Sequence, residues 1–540
     1  MSVHVNQVGY GTNMPKKAVI TGKGERCMLL DARKIHPEVI TPVLGEARYD
    51  VSSGDTVRVV DFSAVTEPGE YFLFADGDKM NVTITGRPFR DLTNALVKGM
   101  YYQRCGCPLH EEHAGDYKHA ICHEGIATGI DDDSIKLEVS GGWHDAGDYG
   151  RYIVPGAVAV SHMMYAYEMF PNAFRDELTI PESGNGIPDI LDECRFELEW
   201  MLKMQRADGA LYHKVTSRFF ADFIMPEDDM MDLVLFDVSH CAAADFAAAM
   251  AQGYRVFKGI DANFANTMLE AAKRAWKWLE ANPEFKPFKN PPKVGSGEYG
   301  DEEFEDDMFW AACEMYTATG ESTYLAAACQ YAPLVTFTGF GRLAVAGLGA
   351  LNCLFINSWN LPADFLADIR KRFLAYADAS LKLSQDSGYG TSMNPEGYIW
   401  GSTLHIMSNG IVLIGAKLLT GEQVYEDAAL TQLDYILGLN CTGFSFVTGF
   451  GEKAFRHPHH RPSFADGIAD PVPGLVSGGP NGSNIDREIT KVFPVETTPP
   501  AKCYADYAPT ASNNETAIYW NSSTLIVAAY FDCLTQEQGE

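Results

Sequence analysis

The sequence predicts a multidomain protein in which a small antiparallel β-sandwich, over residues 1–86, precedes one large all-α domain, over residues 87–540. At 540 residues the chain is too long for one ordinary compact domain. Its residues are 46% hydrophobic and 12% aromatic, which is enough to form a large buried core. After "GRPFRDL" the spacing of the apolar residues changes from the alternation of strands to the period of helices.

The N-terminal segment, from Val3 to about Thr85, consists of short alternating runs such as "TVRVVDFS", "EYFLFAD" and "NVTIT". Turn-forming stretches separate these runs, among them "GKGE", "SSGD", "EPGE" and "DGDK". Regular alternation between such turns is typical of a small antiparallel β-sandwich.

Helical patterns dominate the rest of the chain. Two segments place apolar residues on one helical stripe each: Ile187, Ile190, Leu191, Cys194, Leu198 and Leu202, and then Leu269, Ala272, Trp276 and Leu279. Further helices are expected near residues 240–256, 305–319, 364–384, 402–418, 423–437 and 515–533. Many helices with few convincing strands favour a single all-α domain, which a toroid of helical hairpins can close. The loops 123–142, 283–304 and 451–514 are too long for plain connectors, so we expect them to be functional.

The charge and the termini of the chain limit its partners and location. A formal net charge of −30 repels phosphate backbones and anionic lipids, so we expect neither nucleic acid nor a membrane as a partner. The N-terminal "MSVHVNQVGYG" has no signal-peptide pattern, and no stretch reaches the roughly 18 uninterrupted apolar residues of a spanning helix. We therefore expect a cytoplasmic protein whose twelve cysteines are mostly small buried hydrophobes. A neutral or cationic ligand fits best, and the sequence indicates no oligomeric state.

Two acidic residues stand close together in "GGWHDAGDYGRY", residues 141–152. Asp145 and Asp148 precede an apolar stretch, so both carboxylates can project from one turn toward one point. Two anions at this spacing raise each other's pKa, which lets one act as a base while the other orients the water that it activates. The alternative is structural, an Asp-rich turn or a helix start in which the carboxylates cap free N–H groups.

A third acidic residue, Glu515, follows two asparagines and is expected just inside the start of an apolar helix. The helix dipole favours a glutamate there and lowers its pKa, which is wrong for a general acid. If Glu515 is an acid, burial beside Tyr519 or Trp520, or repulsion from Asp506, must outweigh the helix end.

Histidines cluster in "FRHPHHRPS", at positions 457, 459 and 460, directly before Arg461. Such density indicates either metal ligation or a sugar-binding edge. Because the adjacent arginine disfavours a cation, we interpret the cluster as a source of hydrogen bonds to a ligand.

A second cluster combines Cys105, Cys107, Cys122 and His123 within one loop region. In a reducing compartment, a Cys/His cluster indicates zinc more readily than disulfides. The spacing matches no standard zinc finger, so the residues alone leave this question open.

Several longer motifs occur together and in order: "VNQVGYGTNMPKKAVI", "GGWHDAGDYGRYIVPG", "ESGNGIPDILDECRFELEWMLKMQ", "HPHHRPS" and "NNETAIYWNSS". With these motifs the chain resembles glycoside hydrolase family 9 over essentially its whole length, in the subgroup with an N-terminal immunoglobulin-like domain. The resemblance implies an immunoglobulin-like β-sandwich followed by an (α/α)6 barrel. It also implies inverting hydrolysis of β-1,4-glycosidic bonds.

The resemblance assigns roles to the acidic residues. It makes Asp148 the catalytic base, Asp145 the group that holds the attacking water, and Glu515 the proton donor. The substrate-binding residues that it implies are His459, Arg461, Asp506, Trp143 and Tyr519, with Asp506 as a supporting carboxylate. Inversion needs a water between base and sugar, so the acid and base carboxylates are expected ~6.5–9.5 Å apart.

The resemblance also implies metal sites. Related enzymes with this N-terminal domain hold a structural zinc, and the matching ligands are Cys105, Cys122, His123 and His144. Four N/S ligands form a closed, structural site, and His144 adjoins Asp145, so the metal is expected to brace the catalytic turn. Calcium is a further possibility in the loop Pro181 to Asp189, although that loop carries only two acids, Glu182 and Asp189.

The substrate is less defined, because "LNC" and "YAPTASNNE" depart from the family's commoner motifs near the substrate end of the barrel. Insoluble cellulose cannot reach a cytoplasmic enzyme, so we expect a short imported oligosaccharide. The resemblance to unsecreted exo-β-glucosaminidases of the family implies exo-release of glucosamine from chitosan oligomers. The acidic runs at Glu227, Asp228, Asp229 and Asp232, and at 301–307, can attract its ammonium group, or they merely solvate surface loops. The alternatives are a β-glucosidase or endoglucanase for cello-oligosaccharides, and a non-catalytic sugar-binding protein, which has no need for three such carboxylates.

Overall fold

Strands form the N-terminal part of the computed structural model, which describes residues 2–22, 26–75, 77–483, 485–494 and 496–539. The strands are β1 (Val3–Val5), β2 (Tyr10–Gly11), β3 (Lys17–Thr21), β4 (Cys27–Asp31), β5 (Val43–Leu44), β6 (Arg48–Tyr49), β7 (Thr56–Asp61), β8 (Gly69–Ala75) and β9 (Asp78–Thr85). The predicted turns "GKGE" and "DGDK" fall partly outside the described residues.

These strands form two sheets that face each other. One has the order β1-β3-β7-β5, with β6 also paired to β7, and the other has the order β2-β9-β8-β4. All pairs are antiparallel except β2–β9, where Tyr10 pairs with Ile84. Val5, Ile20 and Leu73 belong to the apolar core of this region. The predicted N-terminal β-sandwich is thereby confirmed.

Helices form most of the remaining chain, and α1 begins at Arg90, shortly after β9 ends at Thr85. They are α1 (Arg90–Tyr102), α2 (Glu111–Ala114), α3 (Ile153–Met169), α4 (Asp189–Lys203), α5 (His240–Phe257), α6 (Ala262–Ala281), α7 (Glu305–Thr319), α8 (Ser322–Tyr331), α9 (Ala346–Leu351), α10 (Ala363–Asp386), α11 (Ser402–Thr420), α12 (Gln423–Ile436), α13 (Arg461–Ala465), α14 (Arg487–Val492), α15 (Ala511–Asn514) and α16 (Ile518–Gly539).

The long helices divide into an inner and an outer layer. Helices α3 and α11 are buried on nearly every side, as expected for helices that are apolar all round. In contrast, α6 and α10 each bury one stripe and expose the opposite face. Helix α16 packs against α1, α3 and α11, and α5 packs against α3, α6 and α7.

Within the described part of the chain, one helix, α11, is long and apolar enough to cross a membrane by length and composition. In the structure, 67% of its most apolar 18-residue stretch is buried inside the protein. This is the behaviour of a core helix, and α11 forms part of the inner layer.

A small third sheet lies in the helical region, which the prediction of an all-α domain missed. Its strands are β10 (Ile126–Gly129), β11 (Lys136–Glu138), β12 (Arg151–Tyr152), β13 (Lys214–Thr216) and β14 (Val234–Leu235). They pair in the order β11-β10-β14-β13-β12. At two to four residues, these strands are too short to show a recognisable alternation. The sheet matters because β12 immediately follows the turn that carries Asp145 and Asp148.

Candidate active site

The turn that carries Asp145 and Asp148 is closed by its own hydrogen bonds. The N–H of Asp145 donates to the carbonyl of Gly150 at 3.0 Å, and the N–H of Gly150 donates to Asp148 Oδ2 at 3.0 Å. Both aspartates are buried. Helix α3 starts only at Ile153, with Tyr152 as its cap and no side-chain cap bond. These aspartates therefore do not cap a helix start, although Asp148 does accept a backbone N–H within its own turn.

A tyrosine hydroxyl orients each of these two aspartates. Tyr152 donates to Asp148 Oδ2 at 3.2 Å, and Tyr299 donates to Asp145 Oδ2. The two rings pack together, with centroids 4.5 Å apart. Among the described residues, Asp145 Oδ1 has no hydrogen-bond partner, so this oxygen can bind a ligand or a water molecule.

The environment of Asp145 raises its pKa above that of an ordinary aspartate. Burial and the nearby charge of Asp148 raise the pKa of Asp145 to about 8, against the opposing effects of Tyr299 and Arg342. At neutral pH Asp145 therefore keeps a proton. A protonated carboxyl can donate one hydrogen bond and accept another, which suits a group that holds a water molecule.

Glu515 lies outside the long helix in which the sequence analysis placed it. It follows the short helix α15 in an extended conformation, and α16 begins three residues later, at Ile518. Its carbonyl accepts from the N–H of Gly478 at 2.8 Å, and it forms a parallel bridge with His459. The prediction of a first-turn glutamate was wrong because the polar Asn-Asn-Glu-Thr stretch pairs with another loop before the apolar run begins.

The pKa of Glu515 is consequently free of the lowering effect of a helix N-terminus. Burial raises it well above its ordinary value, and the charges of Asp148 and Asp145 raise it further. Arg461 and Trp400 oppose this rise. The expected repulsion from Asp506 is not among the causes. A glutamate whose pKa is raised in this way holds its proton more tightly, which suits a general acid.

The loop 459–461 connects the turn that carries Asp145 and Asp148 to the segment that carries Glu515. The N–H of His459 donates to the carbonyl of Asn514 at 2.8 Å, next to Glu515. The guanidinium of Arg461 donates through Nη1 to the carbonyl of Gly147 at 2.7 Å, between the two aspartates. A β-carbon on Gly147 would overlap the carbonyl oxygen of His459, so only glycine permits this approach.

The histidine cluster separates into three environments. His459 lines the cleft, and its Nδ1 donates to the carbonyl of Ala508 at 2.6 Å, which leaves Nε2 as an acceptor for a ligand hydroxyl. His460 points inward to Gln103, at 2.9 Å, whereas His457 is exposed and pairs with Asp506. Because the three rings diverge, they do not converge on a common metal position, and of the three only His459 lines the cleft.

Two residues predicted to bind substrate lie elsewhere. Trp143 is only 1% exposed, and its indole N–H donates to Glu193 at 3.3 Å, so it is a core residue and the prediction of a sugar contact was wrong. Asp506 lies outside the cleft. Its carboxylate accepts hydrogen bonds from the backbone N–H groups of Arg456 and His457 at 2.9 and 2.8 Å. It supports the loop that carries His459, whereas Tyr519 does line the cleft.

The cleft is a cavity of about 610 Å³ that brings Asp148 and Glu515 together with His459 and Arg461. Its aromatic lining consists of Tyr152, Phe220, Tyr299, Trp400, Tyr519 and Trp520. Several aromatic rings beside a few polar groups are typical of a small-molecule site.

Sequence reasoning missed several of the residues that line this cleft, among them Glu298, Tyr299, Arg342 and Trp400. Glu298 and Tyr299 belong to the loop 283–304, whose length was the only signal. Arg342 and Trp400 lie in Gly-containing loops and carry no motif that distinguishes them.

Two consecutive residues at the start of β13 hold the loop with Glu298 and Tyr299 in place. His213 donates through Nε2 to the carbonyl of Glu298 at 2.9 Å. The buried ammonium of Lys214 donates to Asn290 Oδ1 at 2.7 Å, to Ser296 Oγ at 3.3 Å and to the carbonyl of Gly297. The strand thus sets the position of the loop that orients Asp145.

The predicted zinc ligands meet beside this turn. The ligand atoms of Cys105, Cys122, His123 and His144 all lie within 4.8 Å of one another, and they are the one group of three or more such residues in the described part of the chain. His123 Nε2 lies 3.3 Å from Asp229 Oδ2, and its buried Nδ1 has no partner among the described residues. A carboxylate behind a histidine whose other nitrogen is free is the usual support of a metal ligand.

The loop suggested for calcium carries acids that already have protein partners. Asp189 accepts the N–H groups of Glu177 and Leu178 at 2.7 and 2.6 Å, and Ser183 Oγ donates to it at 2.7 Å. Glu182 pairs with Arg104 at 3.0 Å. These contacts account for both acids of the loop.

The comparisons with known proteins agree over nearly the whole chain. Residues 89–528 match glycosyl hydrolase family 9, and residues 1–80 match the cellulase N-terminal immunoglobulin-like domain. A cellodextrinase from Butyrivibrio fibrisolvens is 39% identical, covering 96% of this chain and 97% of the relative. A xyloglucan-specific endo-β-1,4-glucanase from Bacteroides ovatus is 35% identical, covering 99% and 94%.

Among solved structures, a thermostable endoglucanase from Alicyclobacillus acidocaldarius superimposes with a TM-score of 0.91 at 33% identity, covering 98% of this chain and 99% of that one. Sequence and structure therefore agree on both domains, and the chain is a glycoside hydrolase that belongs to glycosyl hydrolase family 9.

Proposed function

We propose that this protein is an inverting β-1,4-glucan hydrolase that acts on cello-oligosaccharides. The observation that carries the proposal is the presence of Asp148 and Glu515 in one aromatic-lined cavity, each in the environment that its role requires. The relative named cellodextrinase, at 39% identity, supports the same substrate class.

In the proposed reaction, Asp148 accepts a proton from a water molecule that Asp145 helps to hold. The water oxygen forms a bond to the anomeric carbon, while the bond from that carbon to the leaving oxygen breaks. Glu515 gives its proton to the leaving oxygen. Attack on the face opposite the leaving group inverts the anomeric configuration.

Glu515 must be protonated at the pH at which the base is ionised. Its burial and the two neighbouring aspartates keep its pKa well above the ordinary value. His459 and Arg461 flank it, so that an acceptor nitrogen and a cationic donor face the sugar beside the scissile bond. These contacts orient the substrate without taking part in proton transfer.

The preference for glucosamine expected from the sequence loses its physical basis. Asp229 is bonded to His123 in the metal cluster, and the described residues that line the cleft include none of Glu227, Asp228, Asp229 and Asp232. Two guanidinium groups, Arg342 and Arg461, line the cleft together with the carboxyl groups of Asp148, Glu298 and Glu515. The guanidinium groups offset the carboxyl groups, so this lining gives the ammonium of a glucosamine no advantage over a neutral glucan.

We also propose a structural zinc held by Cys105, Cys122, His123 Nδ1 and His144. The closed N/S ligand set and the carboxylate behind His123 support this assignment. When bound, the ion crosslinks the segments before the catalytic turn. The inner and outer helix layers support the further proposal that the helical domain is an (α/α)6 barrel.

The proposed activity is tested by incubating the protein with cellotriose, cellotetraose and the glucosamine dimer, and following the products by NMR. We expect the cello-oligosaccharides to be cleaved, with the α-anomer formed first. Release of glucosamine at a higher kcat/KM would overturn the proposed substrate, and a β-anomeric first product would overturn inversion.

A further inference from the structure

A second groove lies beside the catalytic cleft and has a volume of about 680 Å³. The small sheet forms its floor, through Thr128 of β10 and Val234 of β14. Phe219 forms one wall, and Met230 forms another. The catalytic residues that the mechanism uses do not line it.

The apolar side chains of this groove are unusually accessible. Phe219 is 55% exposed, Met230 is 87% exposed and Ile126 is 60% exposed. Single exposed apolar residues need no explanation, but several around one concave surface mark a binding site. The groove therefore offers apolar surface to a ligand.

The charged side chains of the groove balance each other. Arg218 and Lys136 contribute two positive charges, and Asp133 and Asp232 contribute two negative charges. A surface of this kind can hydrogen-bond to many hydroxyl groups without favouring an ion of either sign. Apolar faces bordered by such groups suit the faces and hydroxyls of neutral sugars.

The Phe219 ring is held in place rather than free to collapse into the groove. A β-carbon on Gly295 would lie 3.0 Å from Phe219 Cδ1, so the ring rests against that glycine. The N–H of Gly295 donates to the carbonyl of Arg218 at 2.8 Å, and Ser217 Oγ donates to the carbonyl of Phe219 at 2.6 Å. These contacts hold the backbone that presents the ring to the groove, so less of this segment has to be ordered when a ligand binds.

The groove adjoins the catalytic cleft through two consecutive residues, Phe219 and Phe220. Phe220, the residue after Phe219, lines the cleft together with Asp148. A small cavity of about 10 Å³ lies between the two and is lined by Asp148 and Phe220 of the cleft and by Ser217 and Met231 of the groove. The two consecutive phenylalanines thus form a ridge with the catalytic cleft on one side and the groove on the other.

We propose that this groove binds the glucosyl units of a cello-oligosaccharide that extend beyond those held in the cleft, with the Phe219 ring as the stacking surface. The proposal rests on the proposed function and adds a chain-length preference to it. A longer chain gains the additional contact, whereas a short one ends before it reaches Phe219.

The test compares Phe219→Ala with the wild-type protein on cellotriose and on cellohexaose. We expect kcat/KM for cellohexaose to fall roughly three- to tenfold, the range of one aromatic contact, while kcat/KM for cellotriose stays within about twofold. Met230→Ala is a second variant at the opposite wall and is expected to act in the same direction. Trp359→Ala is the control, because Trp359 is 81% exposed and lines neither cavity.

The proposal would be overturned if the ratio of the two kcat/KM values stayed at its wild-type value in both groove variants. This holds whether neither substrate is affected or both lose activity equally. A groove that serves a protein partner would give the unchanged ratio. If the wild-type protein cleaves none of the cello-oligosaccharides, the proposed function fails first, so the two failures are distinguishable.

Discussion

Gly147 and His459 meet so closely that a β-carbon on the glycine would overlap the carbonyl oxygen of the histidine. Gly147 lies between the two aspartates, and His459 pairs with Glu515 through the parallel bridge. This contact therefore helps to set the distance between the two parts of the proposed acid–base pair, the turn with Asp148 and the segment with Glu515. The glycine in "DAGD" is required by a neighbouring loop rather than by its own turn.

Replacing this glycine tests the contact directly. We expect Gly147→Ala to lower kcat by about a hundredfold, because small displacements of catalytic groups cost rates of this order. Gly259→Ala is the matched control, since a β-carbon at Gly259 meets open space. Steady-state kinetics with cellotetraose provide the measurement, and a Gly147→Ala variant as active as the control would contradict the account.

Tyr299→Phe removes the hydroxyl that donates to Asp145. This hydrogen bond favours the ionised carboxylate, so its loss raises the pKa of Asp145 above about 8. The charges that face Asp145 are those of Asp148 and Arg342, and they remain. We expect the alkaline limb of kcat/KM to move to higher pH, together with a fall in kcat of roughly tenfold at neutral pH.

The comparison for this variant is Tyr376→Phe, because Tyr376 donates to Asn409 at 2.6 Å on another part of the helical domain. Its pH profile is expected to match that of the wild-type protein. An alkaline limb of Tyr299→Phe that moves to lower pH would contradict the assigned hydrogen bond.

Lys214→Met removes the ammonium group that holds Asn290, Ser296 and Gly297. Because this loop carries Tyr299, we expect kcat to fall by roughly tenfold and the Tm to decrease, since three buried acceptors lose their donor. Lys203→Met is a control at a partly exposed lysine. Full activity with a lowered Tm would show that the loop position is independent of Lys214.

Cys122→Ser tests the proposed zinc. Elemental analysis is expected to find one zinc per chain in the wild-type protein and none in the variant, whose Tm falls because a structural metal contributes to folding free energy. Cys329→Ser, at an exposed cysteine, is the control and is expected to keep the zinc content and the Tm of the wild-type protein. A metal-free wild-type protein of full stability would end this proposal.

The sequence was most informative where function and local motif coincide. Asp145 and Asp148 are three residues apart, so their proximity needed no knowledge of the fold. The error at Trp143 arose because a short turn does not reveal which of its side chains face the core. Asp229 was misjudged because its partner His123 lies 106 residues away in the chain.

Most of the missed cleft residues share the same cause. Arg342 and Trp400 reach the cleft from loops that are distant in sequence from both catalytic segments, and their positions depend on how the helices pack. Glu515 was found, but its conformation was not, since its bridge with His459 connects residues 56 positions apart. Pairing between loops has no periodic signal that a single sequence can show.

The most direct test of the central claim, that Asp148 is the base and Glu515 the acid, compares cellotetraose with dinitrophenyl β-cellobioside. We expect Glu515→Gln to lose about 10²–10⁴-fold on cellotetraose and far less on the aryl glycoside, whose leaving group needs no proton. Asp148→Asn is expected to lose activity on both substrates, because water must still be activated. Cellotetraose turnover within tenfold of wild type in either variant, or an equal loss of Glu515→Gln on both substrates, would contradict the assignment.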